Sequence, residues 1–600
     1  EAEWYGRLIR EAEQLVRHKF SFFNLKDHYL GNPIDWNRDH ASGKKASMLF
    51  APSIDYRDFQ VTGDCKLVWE PNRHHQLVVL GRAYRAGGDI RYAEEVVRQI
   101  ESWLRQCPFG RGMNWRSPME LAIRLINWVW AIDLIRDSGA LTGELRKRVL
   151  YSVYLHLWEI TRKYSRGSSA NNHLIGEAAG VFIATNYFSW LPDAPRWRKE
   201  SRNILSREII AQTYADGCTQ EQALGYQLFV LQFFLVAGIV ARRMGYDFPN
   251  AYWSRLEKML EFVGALDEGG GNLTLFGDCD DGYVLDLGNG PGDVDGLLSV
   301  GAVLFGHPGF KNWAGSYPEV ARWLLGGSSR EQFAGITELN DDKQLESRAF
   351  PEAGYYLLQC GTRGSSDRVS ILFDCGALGF KSIAAHGHAD ALSFTLRAFG
   401  VDVFVDPGTY DYFSFPEWRE YFRSTRAHNT IVVDGIDQSE MSGSFMWGRK
   451  ADARCIRWEP REGGGSVKGE HDGYARLKDP VVHRRTLNLD GESGTLTIRD
   501  EIVARETHEV SVYFHVSEFC SVSGLHTNTF EIAVGEGTVT LEMDQRLTVS
   551  TLTGSEKPIG GWVSRGYHQK VPGTTITGSG TFRGKASLVC RVKFGLPTQF

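Results

Sequence analysis

The sequence lacks the marks of several common protein classes. Its nine cysteines are an odd number, scattered over 600 residues without a Cys-x-x-Cys pair. This argues against a disulfide framework or a cysteine-rich zinc ribbon. No Walker A, Gly-x-Ser-x-Gly or His-Glu-x-x-His motif is present, so the chemistries those motifs carry are not indicated.

Positive charge and long apolar runs are also scarce. The formal net charge of −6 argues against a nucleic-acid partner, although a local basic cleft can still bind an anionic substrate. The longest apolar run, 228–241, is too short to span a bilayer and contains Gln232, so we expect a buried helix and no membrane span. No signal peptide is visible, and Glu1 is compatible with a processed chain.

Aromatic residues are abundant, with 17 Trp, 23 Tyr and 33 Phe. Such rings pack cores, and they also stack on sugar rings, which mildly favours a carbohydrate ligand. At 600 residues the chain is too long for a single core, so we expect at least two domains.

The first half of the chain has the apolar periodicity of helices. The predicted helices lie at about 74–88, 117–139, 143–164, 171–187, 197–214, 220–244, 252–268 and 295–306. No fixed-period repeat is evident, which favours a closed helical toroid over a solenoid.

After about residue 345 the pattern changes to alternating or β-branched stretches bounded by Gly, Asp and Pro, which predicts antiparallel sheets. A Gly/Ser-rich stretch at 324–335 is the predicted link. We therefore predict an α+β chain with an (α/α) toroid over 1–335 and an antiparallel β-sandwich over 336–600.

Two helical segments carry unexpected polar groups. Asn171, Asn172 and His173 precede an apolar helix, and Tyr226 follows Glu221 in another. Taken alone, an asparagine helix cap and a core tyrosine are the simpler interpretations.

A histidine-rich stretch suggests a metal site. His386 and His388 are two residues apart, so on a strand they would share a face. Asp406 follows in a second strand, and His428 precedes another. Imidazole and carboxylate ligands suit zinc, whereas surface or capping roles are the alternative.

Several residues are candidates for a cleft that binds an anionic sugar. Arg73, His74 and Arg116 could meet an anion, and Trp115 could stack on a ring. Arg124 is a fifth candidate for this cleft. It stands four residues after Glu120, so an ion pair on the surface of a helix is an equally good interpretation. The Asp- and Gly-rich stretch 276–293 fails the EF-hand spacing, and we interpret it as a loop.

Several motifs, taken in this order, resemble the heparinase II/III family of polysaccharide lyases: NNHLIGE (171–177), EQALGYQ (221–227), HGHADALSF (386–394), VDVFVDPGTY (401–410) and YFRSTRAHNT (421–430). The resemblance spans about residues 35–440. It implies a toroid followed by stacked sheets, and β-elimination at a 4-linked uronate. One departure is Gln227, which stands where some heparin lyases carry a second histidine.

The resemblance also implies roles for individual residues. Asn172, with His173 beside it, would neutralise the uronate carboxylate. Tyr226 would protonate the leaving oxygen and, for some epimers, abstract H5. His386 would act as a base or bind the carboxylate.

Further implied residues complete the site. The resemblance implies that His388, Asp406 and His428 hold one divalent metal, usually zinc, in a structural role. Glu177 and Asp278 are weaker candidates for the site. Tyr421 and Arg423 would line the cleft.

The expected substrate is an anionic uronate polysaccharide, with a glycosaminoglycan such as heparan sulfate, hyaluronan or chondroitin first. No sulfate-binding Arg/Lys cluster stands out, which favours weakly sulfated chains. The alternatives are an alginate or exopolysaccharide lyase of the same fold, a glycoside hydrolase, and a non-catalytic polysaccharide-binding protein. We expect a periplasmic or secreted protein, and the sequence makes no prediction of oligomeric state.

Overall fold

Helices dominate the first half of the chain and strands the second, in a computed structural model that describes residues 2–267, 273–288, 290–339, 345–362, 365, 367–380 and 382–595. The chain forms two compact units. The first comprises Glu1–Thr213, Leu228–Leu260 and Asp281–Thr337, and the second comprises Tyr214–Gln227, Glu261–Asp280 and Glu338–Phe600.

The first unit is built from helices and one hairpin, β1 (Lys19–Phe22) with β2 (Leu25–Tyr29). In chain order the helices are α1 (Ala2–Val16), α2 (Phe59–Thr62), α3 (Cys65–Trp69), α4 (His75–Gly87), α5 (Ile90–Gln106), α6 (Pro118–Leu134), α7 (Gly143–Arg162), α8 (Asn172–Tyr187), α9 (Ala194–Ala211), α10 (Leu224–Met244), α11 (Asn250–Leu266), α12 (Val294–Phe305), α13 (Pro308–Ala314), α14 (Glu319–Leu325) and α15 (Ser329–Gly335). The start of α10 and the end of α11 belong to the second unit.

The helices pack in an alternating order. α4, α6 and α8 pack side by side, and α5, α7 and α9 each pack against the helix that precedes it. The α6–α8 contact is close because of Gly180, where a Cβ would come within 2.6 Å of the Ala122 side chain. Any larger residue at 180 would push these two helices apart.

The predicted helices are confirmed, and the predicted link at 324–335 lies just before the change of unit at 337/338 but contains a helix. Each predicted segment coincides with one of the helices α4 or α6–α12 to within a few residues. The Gly/Ser-rich stretch is mostly helical, because the good helix formers that follow Ser329 form α15. Helix α10 is long and apolar enough to cross a membrane, but 83% of its most apolar window is buried, which is typical of a core helix.

Apart from the ends of α10 and α11, the described residues of the second unit form one α-helix, α16 (Pro416–Arg423), which is followed by a single 3-10 turn at Thr425–Ala427. Its strands are β3 (Arg348–Phe350), β4 (Tyr355–Cys360), β5 (Val369–Asp374), β6 (Phe394–Ala398), β7 (Val401–Phe404), β8 (Ile431–Val433), β9 (Met441–Gly443), β10 (Met446–Trp447), β11 (Ala453–Arg461), β12 (Gly464–His471), β13 (Val482–Asp490), β14 (Thr495–Val503), β15 (Thr507–Val516), β16 (Cys520–His526), β17 (Thr529–Val534), β18 (Gly537–Glu542), β19 (Thr548–Thr553), β20 (Ser555–Glu556), β21 (Ile559–Gly560), β22 (Trp562–Gly566), β23 (Gln569–Pro572), β24 (Thr574–Arg583) and β25 (Ala586–Gly595).

Two large antiparallel sheets form a sandwich. One has the order β19-β24-β15-β7-β6-β5-β4-β3, with β8 paired to β15, and the other has the order β11-β12-β13-β14-β25-β18-β17-β16. Alternate residues of β13 and β14 are buried, and a single apolar core joins Leu358 and Ile371 of one sheet to Leu487 and Ile498 of the other. The predicted fold class, helical first and antiparallel β second, is confirmed.

The units are less continuous than the predicted domains 1–335 and 336–600. Two segments that the sequence analysis assigned to the helical domain, 214–227 and 261–280, belong to the second unit. Tyr226 and Asp278 therefore share a compact unit with His386.

Candidate active site

Tyr226 and His386 form the centre of a buried polar cluster in the second unit. Tyr226 lies in the first turn of α10, and its ring stacks on the His386 imidazole with centroids 3.6 Å apart and planes 19° apart. The Tyr226 hydroxyl donates to Asp280 Oδ2 at 3.3 Å and lies 3.1 Å from the Tyr412 hydroxyl. Both rings are about 6% exposed, so their chemistry is shielded from bulk water.

Asp278 ties the cluster together. Its carboxylate lies 3.1 Å from His386 Nδ1 and 3.0 Å from His388 Nε2. Arg419 meets both carboxylate oxygens in a bidentate pair, at 2.5 Å and 2.8 Å. Burial alone would raise the pKa of Asp278, but Arg419 and the two histidines outweigh it and hold this pKa well below its usual range.

The two histidines come from a loop and not from the strand that the sequence analysis expected. Residues 384–390 form no strand, and Gly387 explains the path of the chain. A Cβ at Gly387 would lie 1.5 Å from the carbonyl oxygen of Leu378, so only glycine fits between the histidines. The Asp278 amide donates to the His386 carbonyl at 2.9 Å, which anchors the loop to the segment that carries Asp278.

The surroundings of Tyr226 keep its phenol neutral. Burial is the largest cause and raises the pKa of Tyr226 well above its usual value, and the charges of Asp280 and Asp278 raise this pKa further. Tyr226 is therefore a proton donor in this state. The second His386 nitrogen, Nε2, lies 3.5 Å from Glu221 Oε2, so each ring nitrogen faces a carboxylate.

Sequence reasoning missed Arg419 and Tyr412. Arg419 lies on α16 and is 1% exposed. Its guanidinium sits over the rings of Tyr412 and Phe445, at 4.8 Å and 5.1 Å from their centroids. No local motif marks an arginine that pairs with Asp278, a residue 141 positions away.

The three predicted metal ligands lie together, with a fourth residue, Asp390, beside them. Potential ligand atoms of His388, Asp390, Asp406 and His428 all lie within 4.8 Å of one another. Asp390 was missed, although it stands in the same HGHAD motif as His388.

The hydrogen bonds of the two histidines fit a bound cation. His388 Nε2 faces ionised Asp278, and His428 Nδ1 faces the Ser424 carbonyl at 2.8 Å, so these nitrogens carry the hydrogens. The remaining nitrogens, His388 Nδ1 and His428 Nε2, face each other at 3.2 Å. Two nitrogen ligands of one tetrahedral zinc ion lie at about this separation, roughly 3.3 Å.

The charges around the four residues His388, Asp390, Asp406 and His428 also favour a bound cation. Burial lowers the pKa of His428, but Asp406 outweighs it and raises this pKa to about 9. Burial raises the pKa of Asp390 well above its usual value, and neighbouring Asp374 raises it further. Buried carboxylates that resist ionisation become stable when a metal shares their charge.

Asn172 and His173 belong to the first unit. Asn172 is the buried first residue of α8 and His173 is half-buried. Asn171 caps the helix, because its side chain accepts a hydrogen bond from the His173 amide at 3.2 Å. The cap interpretation therefore applies to Asn171, and the predicted role of Asn172 stays a prediction.

Besides Arg124, which is fully buried, four further cleft candidates of the first unit have internal partners. Arg73 pairs with Glu120 and Glu70, at 2.8 Å and 3.0 Å, and His74 is fully buried and accepts from Trp128 Nε1 at 2.7 Å. Trp115 is 3% exposed and donates to the Cys107 carbonyl. These contacts favour structural roles over substrate binding.

Arg116 is the most accessible of these four. It is half-buried, it donates to the Ile54 carbonyl at 2.9 Å, and its guanidinium lies 5.1 Å from the Tyr56 ring centroid. A contact with substrate stays a prediction.

Tyr421 and Arg423, on α16, are also interior residues. Tyr421 packs in a small cluster with Trp418 and Phe422, and burial raises its pKa to about 12. Arg423 is 1% exposed, donates to the Gly443 carbonyl at 2.9 Å and lies over the Trp447 ring. Both positions favour support of α16 over the predicted lining of a cleft.

Comparison with known proteins places this geometry in a family. The chain matches the family description "Heparinase II/III N-terminus" over residues 7–281 and "Heparinase II/III-like, C-terminal" over residues 342–590. A heparin-sulfate lyase of Bacteroides stercoris is 24% identical over 560 residues, which cover 88% of this chain and 75% of that protein. A heparin-sulfate lyase of Pedobacter heparinus is 25% identical over 465 residues, which cover 76% of this chain and 63% of that protein.

The fold agrees with these sequence matches. A crystal structure of heparinase III superposes with a TM-score of 0.74 at 17% identity, and the match covers 98% of this chain and 85% of that one. Since the two halves of one family description together match most of the sequence, the chain belongs to the heparinase II/III-like family.

Proposed function

We propose that this protein is a glycosaminoglycan lyase that cleaves the chain at a 4-linked uronate by β-elimination. The stacked pair of Tyr226 and His386, with His386 held by Asp278, carries the proposal. This cluster offers a neutral phenol and an imidazole in contact, which are the acid and the base that an elimination needs. Since both curated relatives are heparin-sulfate lyases, a heparan-sulfate-type polymer is the substrate we propose first.

In the proposed reaction His386 removes the proton from C5 of the uronate. The electron pair of that C–H bond forms the C4–C5 double bond, and the C4–O4 bond breaks with its electrons moving to O4. Tyr226 is assigned the second proton transfer, from its hydroxyl to O4, because its raised pKa keeps the phenol protonated, so that it holds a proton to donate and has no phenolate to act as a base. The products are an unsaturated uronate and a new non-reducing sugar end.

The partners of His386 support its role as a base. Nδ1 donates to ionised Asp278, which fixes the ring and directs the lone pair to Nε2. When Nε2 takes the proton, the imidazolium lies between two carboxylates, those of Asp278 and Glu221. This arrangement stabilises the charge that develops during the reaction.

The uronate carboxylate also needs a partner, because its negative charge opposes removal of H5. We assign this role to Asn172, whose amide donates hydrogen bonds without burying a charge of its own. Its position as the first residue of α8 adds the partial positive charge of the helix N-terminus.

We propose that His388, Asp406 and His428, with Asp390 beside them, hold one structural zinc ion. When bound, the ion supplies positive charge that orders the loop carrying His388. Asp278 then links the two functions, because it contacts both His388 and the base His386.

The test is a substrate panel. The full chain is incubated with unsulfated heparosan, heparan sulfate, hyaluronan, chondroitin and alginate, and ultraviolet absorbance of the unsaturated product is followed together with reducing ends. We expect both signals to rise together on a heparan-type polymer. Reducing ends without absorbance would mean hydrolysis, and activity restricted to alginate would replace the glycosaminoglycan assignment.

A further inference from the structure

Lys570 on β23 lies in an aromatic enclosure that the proposed reaction does not use. Its ammonium nitrogen is 3.8 Å from the ring centroid of Trp562, 4.0 Å from that of Trp418 and 5.5 Å from that of Tyr410. The two tryptophans meet edge to face at 5.6 Å. These four residues are called the Lys570 cage below.

The ammonium of the Lys570 cage is surrounded by aromatic rings, and no carboxylate of the described part of the chain forms an ion pair with it. Among the described residues, no carboxylate lies within 4.0 Å of the Lys570 ammonium. Burial against the rings lowers the pKa of Lys570, and the more distant Glu556 raises it only in part. The ammonium is thus partly stripped of water and balanced mainly by ring faces.

The Lys570 cage is accessible from solvent. Lys570, Trp562 and Tyr410 are half-buried and neighbouring Phe415 is 39% exposed, whereas Trp418, at 8% exposure, forms the inner wall of the cage. A lysine that only packs its stem usually carries its ammonium out into water. Here the rings hold the ammonium in place instead, so an arriving anion meets a positive charge that has already lost its rotational freedom.

The Lys570 cage belongs to the same aromatic body as the proposed acid Tyr226. Successive contacts lead through the interior from Tyr226 to Tyr412 (hydroxyls 3.1 Å apart), then Tyr567 (5.4 Å between centroids), His568 (4.7 Å) and Tyr410 (6.0 Å). Because Tyr412 and Tyr567 are buried, this path runs through the interior and shows that the cage and Tyr226 belong to one packed aromatic body. The cage and Tyr226 are separated along this path by three intervening rings, before the ring of Tyr410 is reached.

We propose that the Lys570 cage is a binding subsite for an anionic sugar unit of the polysaccharide that is not the unit at the cleaved bond. The inference rests on the proposed function. The ammonium takes a uronate carboxylate or a sulfate ester, and the half-buried ring of Trp562 contacts the sugar ring. This subsite favours long chains over short ones.

The test uses the full chain with Lys570→Met, which keeps the length of the side chain and removes its charge, and Lys570→Arg, which keeps the charge. Binding of heparosan tetrasaccharide and octasaccharide is measured by calorimetry in a Tyr226→Phe background, so that the probe is not cleaved. We expect K570M to weaken octasaccharide binding about 5–20-fold, to change tetrasaccharide binding less than twofold, and K570R to restore most of the affinity. When K570M is made without the Tyr226→Phe change, we expect KM for long heparosan to rise and kcat to stay within twofold of the native value.

Lys593→Met is the matched control, because Lys593 is a strand lysine that pairs with Glu542 on the surface. Affinity of K570M within twofold of its parent for both the heparosan and the N-sulfated octasaccharide would overturn the subsite, as would equal weakening by K593M or equal weakening of both probe lengths. An N-sulfated octasaccharide separates the two anions, since an effect confined to this probe identifies sulfate and an effect on both identifies carboxylate.

Failure of the subsite is distinguishable from failure of the proposed function. If no polysaccharide gives an unsaturated product but octasaccharide binding depends on Lys570, the lyase proposal falls and the subsite stands. If the chain is an active lyase and octasaccharide binding does not depend on Lys570, the subsite alone falls.

Discussion

The imidazole of His386 lies flat against the phenol of Tyr226, with ring centroids 3.6 Å apart. The histidine comes from a loop between β5 and β6, and the tyrosine comes from the start of α10. A base and an acid in ring contact can act on opposite ends of one C4–C5 bond, which is the requirement of an elimination.

Replacing Tyr226 with Phe removes the proposed proton donor and leaves the ring stack in place. We expect kcat to fall about 10²–10⁴-fold, the usual contribution of general acid catalysis, with oligosaccharide binding nearly unchanged. Steady-state absorbance assays and calorimetric binding measure the two effects separately.

Tyr474→Phe is the control for this prediction. The Tyr474 hydroxyl donates to the Ile431 carbonyl at 2.8 Å inside the sandwich, and its loss costs about 1–3 kcal/mol of stability. If Y474F lowers kcat as much as Y226F while both proteins are folded, the loss of activity comes from reduced stability of the fold, and Tyr226 is not the acid.

Asp278→Asn tests the residue that links the base, the metal loop and Arg419. The change leaves the buried Arg419 without its charge partner, so we expect the free energy of unfolding to fall by about 3–5 kcal/mol. It also frees His386 to rotate, so kcat falls in protein that is still folded. Urea unfolding and kinetics at low temperature check the two parts.

Asp500→Asn is the matched variant for Asp278. Asp500 forms a bidentate pair with buried Arg485 and accepts from His483 inside the sandwich. We expect a similar loss of stability and an unchanged kcat. Equal losses of kcat in the two folded variants would contradict a specific role for Asp278.

Metal removal should destabilise the second unit. A site occupied at 100 times its dissociation constant adds about 2.7 kcal/mol of stability, so chelation should lower the melting temperature and zinc should restore it. We expect metal analysis to find about one divalent ion per chain, and His428→Ala to lose it. His483→Ala, at another buried histidine, should keep the ion, and equal metal content in both variants would refute the assignment.

The sequence was most informative where a pattern is local. The spacing of apolar residues located α4 and α6–α12 closely, because each helix buries one face of its own segment. The order of the histidine and aspartate motifs also brought His388, Asp406 and His428 into one group, which the structure places together. Asp390 was available in the same motif and could have been included.

The rest depended on contacts between distant segments. Asp278 meets His386 across 108 positions and Arg419 across 141 positions, and no periodicity encodes such a meeting. The sequence also did not predict which side chains are buried. Arg73 and Trp115 are residue types that often bind sugars, but here both are buried and bonded to partners inside the protein. His386 lies in a loop because the neighbouring Gly387 packs directly against the Leu378 carbonyl oxygen. This close contact between separate parts of the backbone can be seen only in the structure.

Glu177 makes the stability of the first unit depend on pH. Burial is the main cause and raises its pKa from 4.5 to about 7, against the hydrogen bonds that it accepts from Ser165. Between these pH values the folded chain therefore holds a proton that the unfolded chain has lost, so stability from this group falls as pH rises from about 4.5 to 7 and stays low above. The span corresponds to about 3 kcal/mol, at 1.36 kcal/mol for each pKa unit.

Glu177→Gln should remove this dependence, because glutamine is neutral at every pH, its Oε1 can still accept from the Ser165 amide, and its Nε2 can donate to the Ser165 hydroxyl oxygen. We expect the variant and the parent to unfold at similar urea concentrations at pH 5, and the variant to be more stable at pH 8, by up to about 3 kcal/mol. Urea unfolding at pH 5, 6, 7 and 8 checks the trend. A difference between the two proteins that is constant over this range, or one that shrinks as pH rises, would show that Glu177 is already charged in the folded chain at pH 5, and that its bonds to Ser165 outweigh its burial.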